Sequence, residues 1–293
     1  MPDATQVTAP DGRALEVHLA GDPGGRAVVV HHGTPGSGSL YARHAEHAAA
    51  CGLRLIGYDR PGYGGSDRHH GRAVADAAGD VAAILDALGV ERFATWGASG
   101  GGPHALACAA LLADRCAVAV TIAGVAPRDA PGLDWPAGMG EDNVAEFAAA
   151  EAGEEALAAF LRPALPGLRE IRTADLVGAM RSLLSEVDAA ALTDALGDHV
   201  AGQFRHGLEP GAAGWIDDDL AFTRDWGFAL DDVAAPVVVW QGEHDLMVPA
   251  AHGRWLGEHV PGAELRLSDA DGHISLLETR MPAILAAISR YTF

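Results

Sequence analysis

Short runs of apolar, mostly β-branched or aromatic residues recur along this chain at 27–31, 53–58, 93–96, 117–122, 236–241 and 263–267. Runs of this kind suit strands buried on both faces. Helical patterns lie between them. Over 72–88, Val74, Ala77, Ala78, Val81, Ile84, Leu85 and Leu88 share one face, with Asp76, Asp80 and Asp86 mostly on another and Gly89 as a stop. Residues 100–113, 251–259 and 275–291 also read as helices. Strand and helix in alternation predict an α/β fold, a mostly parallel central sheet flanked by helices. The earlier apolar/polar alternation at 14–19 predicts an antiparallel edge strand.

The pattern breaks between residues 126 and 233, a helical stretch rich in Ala, Glu and Asp. It holds Trp135, Phe147, Phe160, Phe204, Trp215, Phe222, Trp226 and Phe228. An insertion of that length is too long for a bare loop and reads as a helical cap or lid over the sheet's edge. The expected organisation is a core formed by residues 1–125 and 234–293, with the cap at 126–233.

Composition removes whole classes of chemistry. All 20 basic residues are Arg, and Lys is absent. Schiff-base chemistry, a phosphate-binding lysine and a lysine general base are therefore excluded. The net charge of −20 makes nucleic acid a poor partner. Cys51, Cys108 and Cys116 show neither paired nor zinc-type spacing, so a reduced, cytoplasmic setting is expected. No signal peptide is visible at the first residues, and no run is apolar enough for a membrane span.

The chemistry concentrates at strand ends. Gly97-Ala98-Ser99-Gly100-Gly101 matches G-x-S-x-G, with a strand running in and an apolar helix running out. A turn that sharp needs small flanking residues and leaves the serine oxygen exposed at the carboxyl edge of the sheet. A base and an orienting acid must follow in the order Ser, acid, His. Asp245 lies just past the 236–241 strand, and His273 just past the next. His273 would take and return the serine proton while Asp245 fixes its tautomer. Glu243 is the substitute acid, and His244 or His252 the substitute base. After the 27–31 strand, His32-Gly33-Thr34-Pro35-Gly36 can bring the Thr34 N–H to a developing oxyanion, with the Gly100 N–H as second donor.

These pieces together resemble the α/β-hydrolase family over about 14–291, interrupted by the cap. The segment 58–66, Tyr-Asp-Arg-Pro-Gly-Tyr-Gly-Gly-Ser, looks like that family's loop after the following strand, which shapes the site without being catalytic. The resemblance implies catalytic Ser99, Asp245 and His273, an oxyanion hole at Thr34 and Gly100, and neither metal nor organic cofactor. Epoxide hydrolases and haloalkane dehalogenases of the family carry Asp where Ser99 stands, so those activities are disfavoured.

Some other features have plainer readings. His44 and His47 read as a solvated face, not metal ligands. Asp217-Asp218-Asp219 reads as a helix start before Leu220, with cation binding the lesser alternative. The aromatic segment 215–228 either lines a pocket or docks the cap. The expectation is a hydrolase cleaving a carboxylic ester or related acyl bond of a small apolar substrate. Amide, lactone or C–C cleavage and acyl transfer are alternatives, and a silent ligand binder is the reading from another class.

Overall fold

A computed structural model describes residues 4–293. The strands are β1 (Thr5–Thr8), β2 (Ala14–Gly21), β3 (Arg26–His31), β4 (Leu53–Tyr58), β5 (Phe93–Ala98), β6 (Cys116–Ile122), β7 (Val237–Gly242) and β8 (Glu264–Ser268). They form one sheet in the order β1-β2-β4-β3-β5-β6-β7-β8. From β4 to β8 every pairing is parallel, whereas β1–β2 and β2–β4 are antiparallel.

Side chains along β3 to β7 alternate between two separate cores. Val29, Ile56, Phe93, Ala119 and Val239 pack on one face, and Val28, Leu55, Ala94, Val120 and Val238 on the other. Helices α1 (Ala42–Ala50), α2 (Asp76–Ala87) and α3 (Gly101–Leu111) follow β3, β4 and β5 in the chain. Between β6 and β7 come α4 (Glu141–Ala152), α5 (Glu154–Leu161), α6 (Leu165–Arg169), α7 (Thr173–Ala179), α8 (Glu186–Ala191), α9 (Asp194–Gly207) and α10 (Ala213–Phe222). Helices α11 (Ala250–His259) and α12 (Ile274–Ile288) complete the chain. Val81 and Ile84 of α2, Leu106 of α3 and Leu256 of α11 cover the first face, while Ala48 of α1 and Leu276, Ile284 and Leu285 of α12 cover the second. Each fully buried Val, Leu or Ile contributes about 1.5–3 kcal/mol, so covering both faces is what stabilises a sheet of this composition.

Three local expectations need correction. The strand at 14–19 is not an edge, because β1 pairs outside it with Val7 opposite Leu15. Four residues with one buried side chain leave too short a pattern to read. Asp80 does not face solvent. It is buried in α2 and forms a 2.8 Å ion pair with Arg13. His44 is buried as well, since α1 packs its 44/48 face inward.

The insertion docks through its own apolar cluster. Ile171, Leu176, Leu192, Leu196 and Phe204 pack with Tyr41 and Met247 from the loops above the sheet and with Ile274 at the start of α12. The chain passes from β3 outward to β4 and returns beside β3 as β5, so strand order reverses between β3 and β5. That switch point opens a crevice beyond the strands' carboxyl ends, where ligands bind in open α/β sheets. All three cysteines are free, and no helix among the described residues is long and apolar enough to cross a membrane.

Candidate active site

Ser99 sits at the carboxyl end of β5, beside the switch point, with φ 53°. That left-handed conformation costs a non-glycine residue about 1–3 kcal/mol and persists only where surroundings enforce it. Here the Ser99 N–H donates to the Ile122 carbonyl at 2.8 Å, and its carbonyl accepts from the Gly102 N–H at 2.9 Å. The flanking glycines are sterically required. A Cβ on Gly97 would overlap the Gly101 carbonyl, and one on Gly101 would overlap the His31 carbonyl. The N-terminal end of α3 begins directly behind the serine, where its dipole favours negative charge.

Asp245 lies in the loop after β7, 3% exposed. Its Oδ1 accepts the Met247 and Val248 N–H groups, both at 2.8 Å, and its Oδ2 accepts from Gln241 Nε2 at 3.1 Å. The same Oδ2 lies 2.8 Å from His273 Nδ1. A carboxylate so held only accepts, so Nδ1 carries the proton and Nε2 keeps its lone pair. The alternatives separate cleanly. Glu243 is paired with Arg254, the His244 ring contacts the Asp269 carbonyl, and the His252 ring is held between the Ala126 N–H and the Trp135 carbonyl.

His273 is the N-cap residue of α12. The buried Asp188 carboxylate from α8 accepts the N–H groups of His273, Ile274 and Ser275, each at 2.9 Å, and the Ser275 hydroxyl at 2.8 Å. Three otherwise orphaned helix N–H groups thus find one acceptor. Burial opposes charge on His273, but Asp245 first and Asp188 after it outweigh that and raise its pKa above the ordinary histidine value. Asp188 escaped the sequence reading because Glu-Val-Asp-Ala-Ala-Ala looks like any acidic helix turn.

The loop after β3 is fixed by a buried ion cluster. Arg60 donates to the carbonyl of His32 and, at 3.0 Å, to that of Gly33. Across a planar trans peptide C=O and N–H point opposite ways, so the Thr34 N–H is directed away from Arg60. The Thr34 hydroxyl donates to Asp218 Oδ2 at 2.7 Å and accepts from Arg60 at 2.9 Å. Asp218 also pairs with Arg60 and Arg72, each at 2.6 Å, and accepts from Tyr63 at 2.8 Å. A Cβ on Gly100 would collide with the Thr34 side chain, so the two residues are in direct apposition.

Asp217, Asp218 and Asp219 are therefore not a helix start. They lie inside α10 and are all buried; from the loop after β4, the partly exposed Arg68 pairs with Asp217 and the buried Arg60 and Arg72 pair with Asp218.

Ser99, His273 and Thr34 line one cavity of about 140 Å³. Val30, Leu55 and Trp96 rise from the sheet, and Leu196, Val200 and Phe204 of α9 form another wall. No Arg, Asp or Glu lines it among the described residues. His44 and His199 line it too, and burial holds their pKa values down at about 3 and about 4, so both are neutral near pH 7. Trp215, Phe222, Trp226 and Phe228 do not line the cavity. They pack into apolar clusters, which favours docking over pocket lining.

Comparison with known proteins places the fold. A family model described as the alpha/beta hydrolase fold matches residues 26–279. Over 248 residues the chain is 29% identical to a non-heme chloroperoxidase of Streptomyces lividans, covering 84% of this chain and 83% of that protein. Over 272 residues it is 28% identical to a 2-hydroxy-6-oxononadienedioate/2-hydroxy-6-oxononatrienedioate hydrolase of Burkholderia vietnamiensis, covering 90% and 86%. Among solved structures it is similar to an alpha/beta hydrolase fold protein from Nakamurella multipartita, with TM-score 0.68 and 25% identity over 98% of this chain and 99% of that one.

Proposed function

The chain belongs to the alpha/beta hydrolase fold family, and from that premise we propose that it is a serine hydrolase cleaving an ester of a small, uncharged acyl group. The observation that carries the reading is that His273, held by Asp245 at 2.8 Å, lines the same cavity as the strained Ser99. Ser99 Oγ attacks the carbonyl carbon while His273 Nε2 removes its proton. The Thr34 and Gly100 N–H groups receive the oxyanion, each worth about 3–4 kcal/mol in the transition state. His273 then protonates the departing alkoxide, leaving an acyl-enzyme. Water deprotonated by the same imidazole clears it. Catalysis so described uses only groups of the chain. Residues 126–233 serve as the cap, with α9 closing the acyl pocket.

Pocket chemistry supports an ester over the rival bonds. A dioate substrate presents two carboxylates, yet no guanidinium lines the cavity. An aminopeptidase must hold an ammonium, yet no carboxylate lines it. A cavity of about 140 Å³ is close to the roughly 150 Å³ that accommodates benzene, so short or aryl acyl groups fit best. Three free cysteines suit a reducing, cytoplasmic setting.

Initial rates on chromogenic esters of increasing acyl length test the reading, with Ser99→Ala beside wild type. The expected result is turnover by wild type alone, falling steeply as the acyl chain outgrows the cavity. Equal turnover by both proteins, or none by either, overturns it.

A further inference from the structure

We propose that Glu16, His18, Asp59 and His206 form a divalent-cation site, of zinc type, that fastens α9 to the sheet. The proposal is independent of the hydrolase reading and departs from the sequence expectation of no metal. Glu16 and His18 stand two residues apart on β2, so they project from the same face of the strand. Asp59 follows the last residue of β4, and its N–H donates to the Glu16 carbonyl at 3.0 Å. His206 sits in the last turn of α9.

One ligand atom from each residue lies within 4.8 Å of all the others. His206 Nε2 is 2.9 Å from Asp59 Oδ2 and 3.8 Å from Glu16 Oε2, and His18 Nε2 is 3.6 Å from Asp59 Oδ1. A tetrahedral ion with bonds of about 2.0–2.1 Å sets its ligands roughly 3.3 Å apart, so small side-chain shifts suffice.

Two further observations point to a ligand. His18 is 8% exposed, and its Nε2 is buried without a hydrogen-bond partner. Leaving such an atom unsatisfied is costly, and buried orphans are uncommon. The neighbouring backbone is also cut away. A Cβ on Gly64 would overlap Asp59 Oδ2 and come within 2.8 Å of His206 Nε2, and one on Gly65 would overlap the Glu16 carboxylate.

Asp59 is already braced for ligation. Its Oδ1 accepts the Gly38 N–H at 2.6 Å and its Oδ2 the Gly65 N–H at 3.1 Å. Each oxygen keeps a second lone pair. Two carboxylates balance a 2+ ion, and two imidazoles select zinc-like ions over magnesium or calcium. An ion here would fix the C-terminal end of the helix that lends Leu196, Val200 and Phe204 to the cavity.

The test is calorimetric titration of chelator-stripped protein with ZnCl2, wild type beside His18→Asn and His206→Gln, with Tm read in parallel. His18→Asn is the sharper variant, because Nε2 has no hydrogen bond to lose. Wild type should show one site that both variants weaken at least about 100-fold. Its Tm should rise on the order of 5 °C with zinc at 100 times its dissociation constant, and His18→Asn should show no such rise. Equal zinc affinity in wild type and His18→Asn, or an equal Tm response, overturns the proposal and leaves a metal-free His206–Asp59 ion pair.

Discussion

The backbone N–H of His273 donates to Asp188 Oδ2 at 2.9 Å, so a carboxylate of the helical insertion holds the residue proposed as general base. Its charge also favours the imidazolium, after the larger contribution of Asp245. Asp188→Asn keeps a hydrogen-bonding side chain and removes that charge. Because the base must be neutral, activity rises with pH through the raised His273 pKa, and the variant should move this acid limb of kcat/KM to lower pH. A purely structural role would lower kcat and leave the limb in place. Asp188→Ala should cost about 2 kcal/mol or more of stability by orphaning helix N–H groups.

Asp245→Asn should fold normally and lose about 10⁴-fold in kcat, since the imidazole tautomer is no longer fixed. Glu243→Gln should retain near-wild-type rates because that side chain pairs with Arg254 outside the site. Steady-state kinetics on one ester decides both.

Asp218→Asn should unfold at markedly lower denaturant concentration, with a loss of about 3–5 kcal/mol, because Arg60 and Arg72 would stay buried without their counterion. Burial opposes the Asp218 carboxylate, but Arg60 and Arg72 hold it well below the usual range. Its contribution is therefore present at neutral pH and lost only as pH falls through that depressed value.

Asp219 behaves in the opposite sense. Burial first, and then the Glu146 and Asp218 carboxylates, push its pKa well above the usual range. The folded state holds a proton that the unfolded state releases, so stability is full below the ordinary carboxylate pKa and declines as pH rises through the folded value. Asp219→Asn, a permanently neutral isostere, should raise Tm at pH 8 by the equivalent of about 1 kcal/mol or more, with the gain vanishing under acid. Thermal melts across pH measure it.

The sheet was legible because β3 to β7 bury short apolar runs on two faces, and period and composition report such burial directly; β8, read as another such run, is a mostly exposed edge strand. The elbow was legible for a steric reason, since Gly97 and Gly101 have no room for a Cβ. Asp245 and His273 followed from strand ends and chain order, and the structure brings their side chains together. Charged residues were misread or missed wherever a distant partner decides burial. Asp80 needed Arg13, Asp218 needed Arg60 and Arg72, and Asp188 needed the start of α12. His44 was misread for the related reason that α1 was not recognised as a helix packed on the sheet. No local pattern encodes those meetings.

The most direct test of the central claim is intact-mass and peptide-mapping analysis after exposure to a fluorophosphonate probe. The account predicts one adduct, on Ser99, absent from Ser99→Ala and formed at least about 100-fold more slowly in His273→Ala. An adduct elsewhere, none at all, or unchanged labelling of Ser99 in His273→Ala would contradict it.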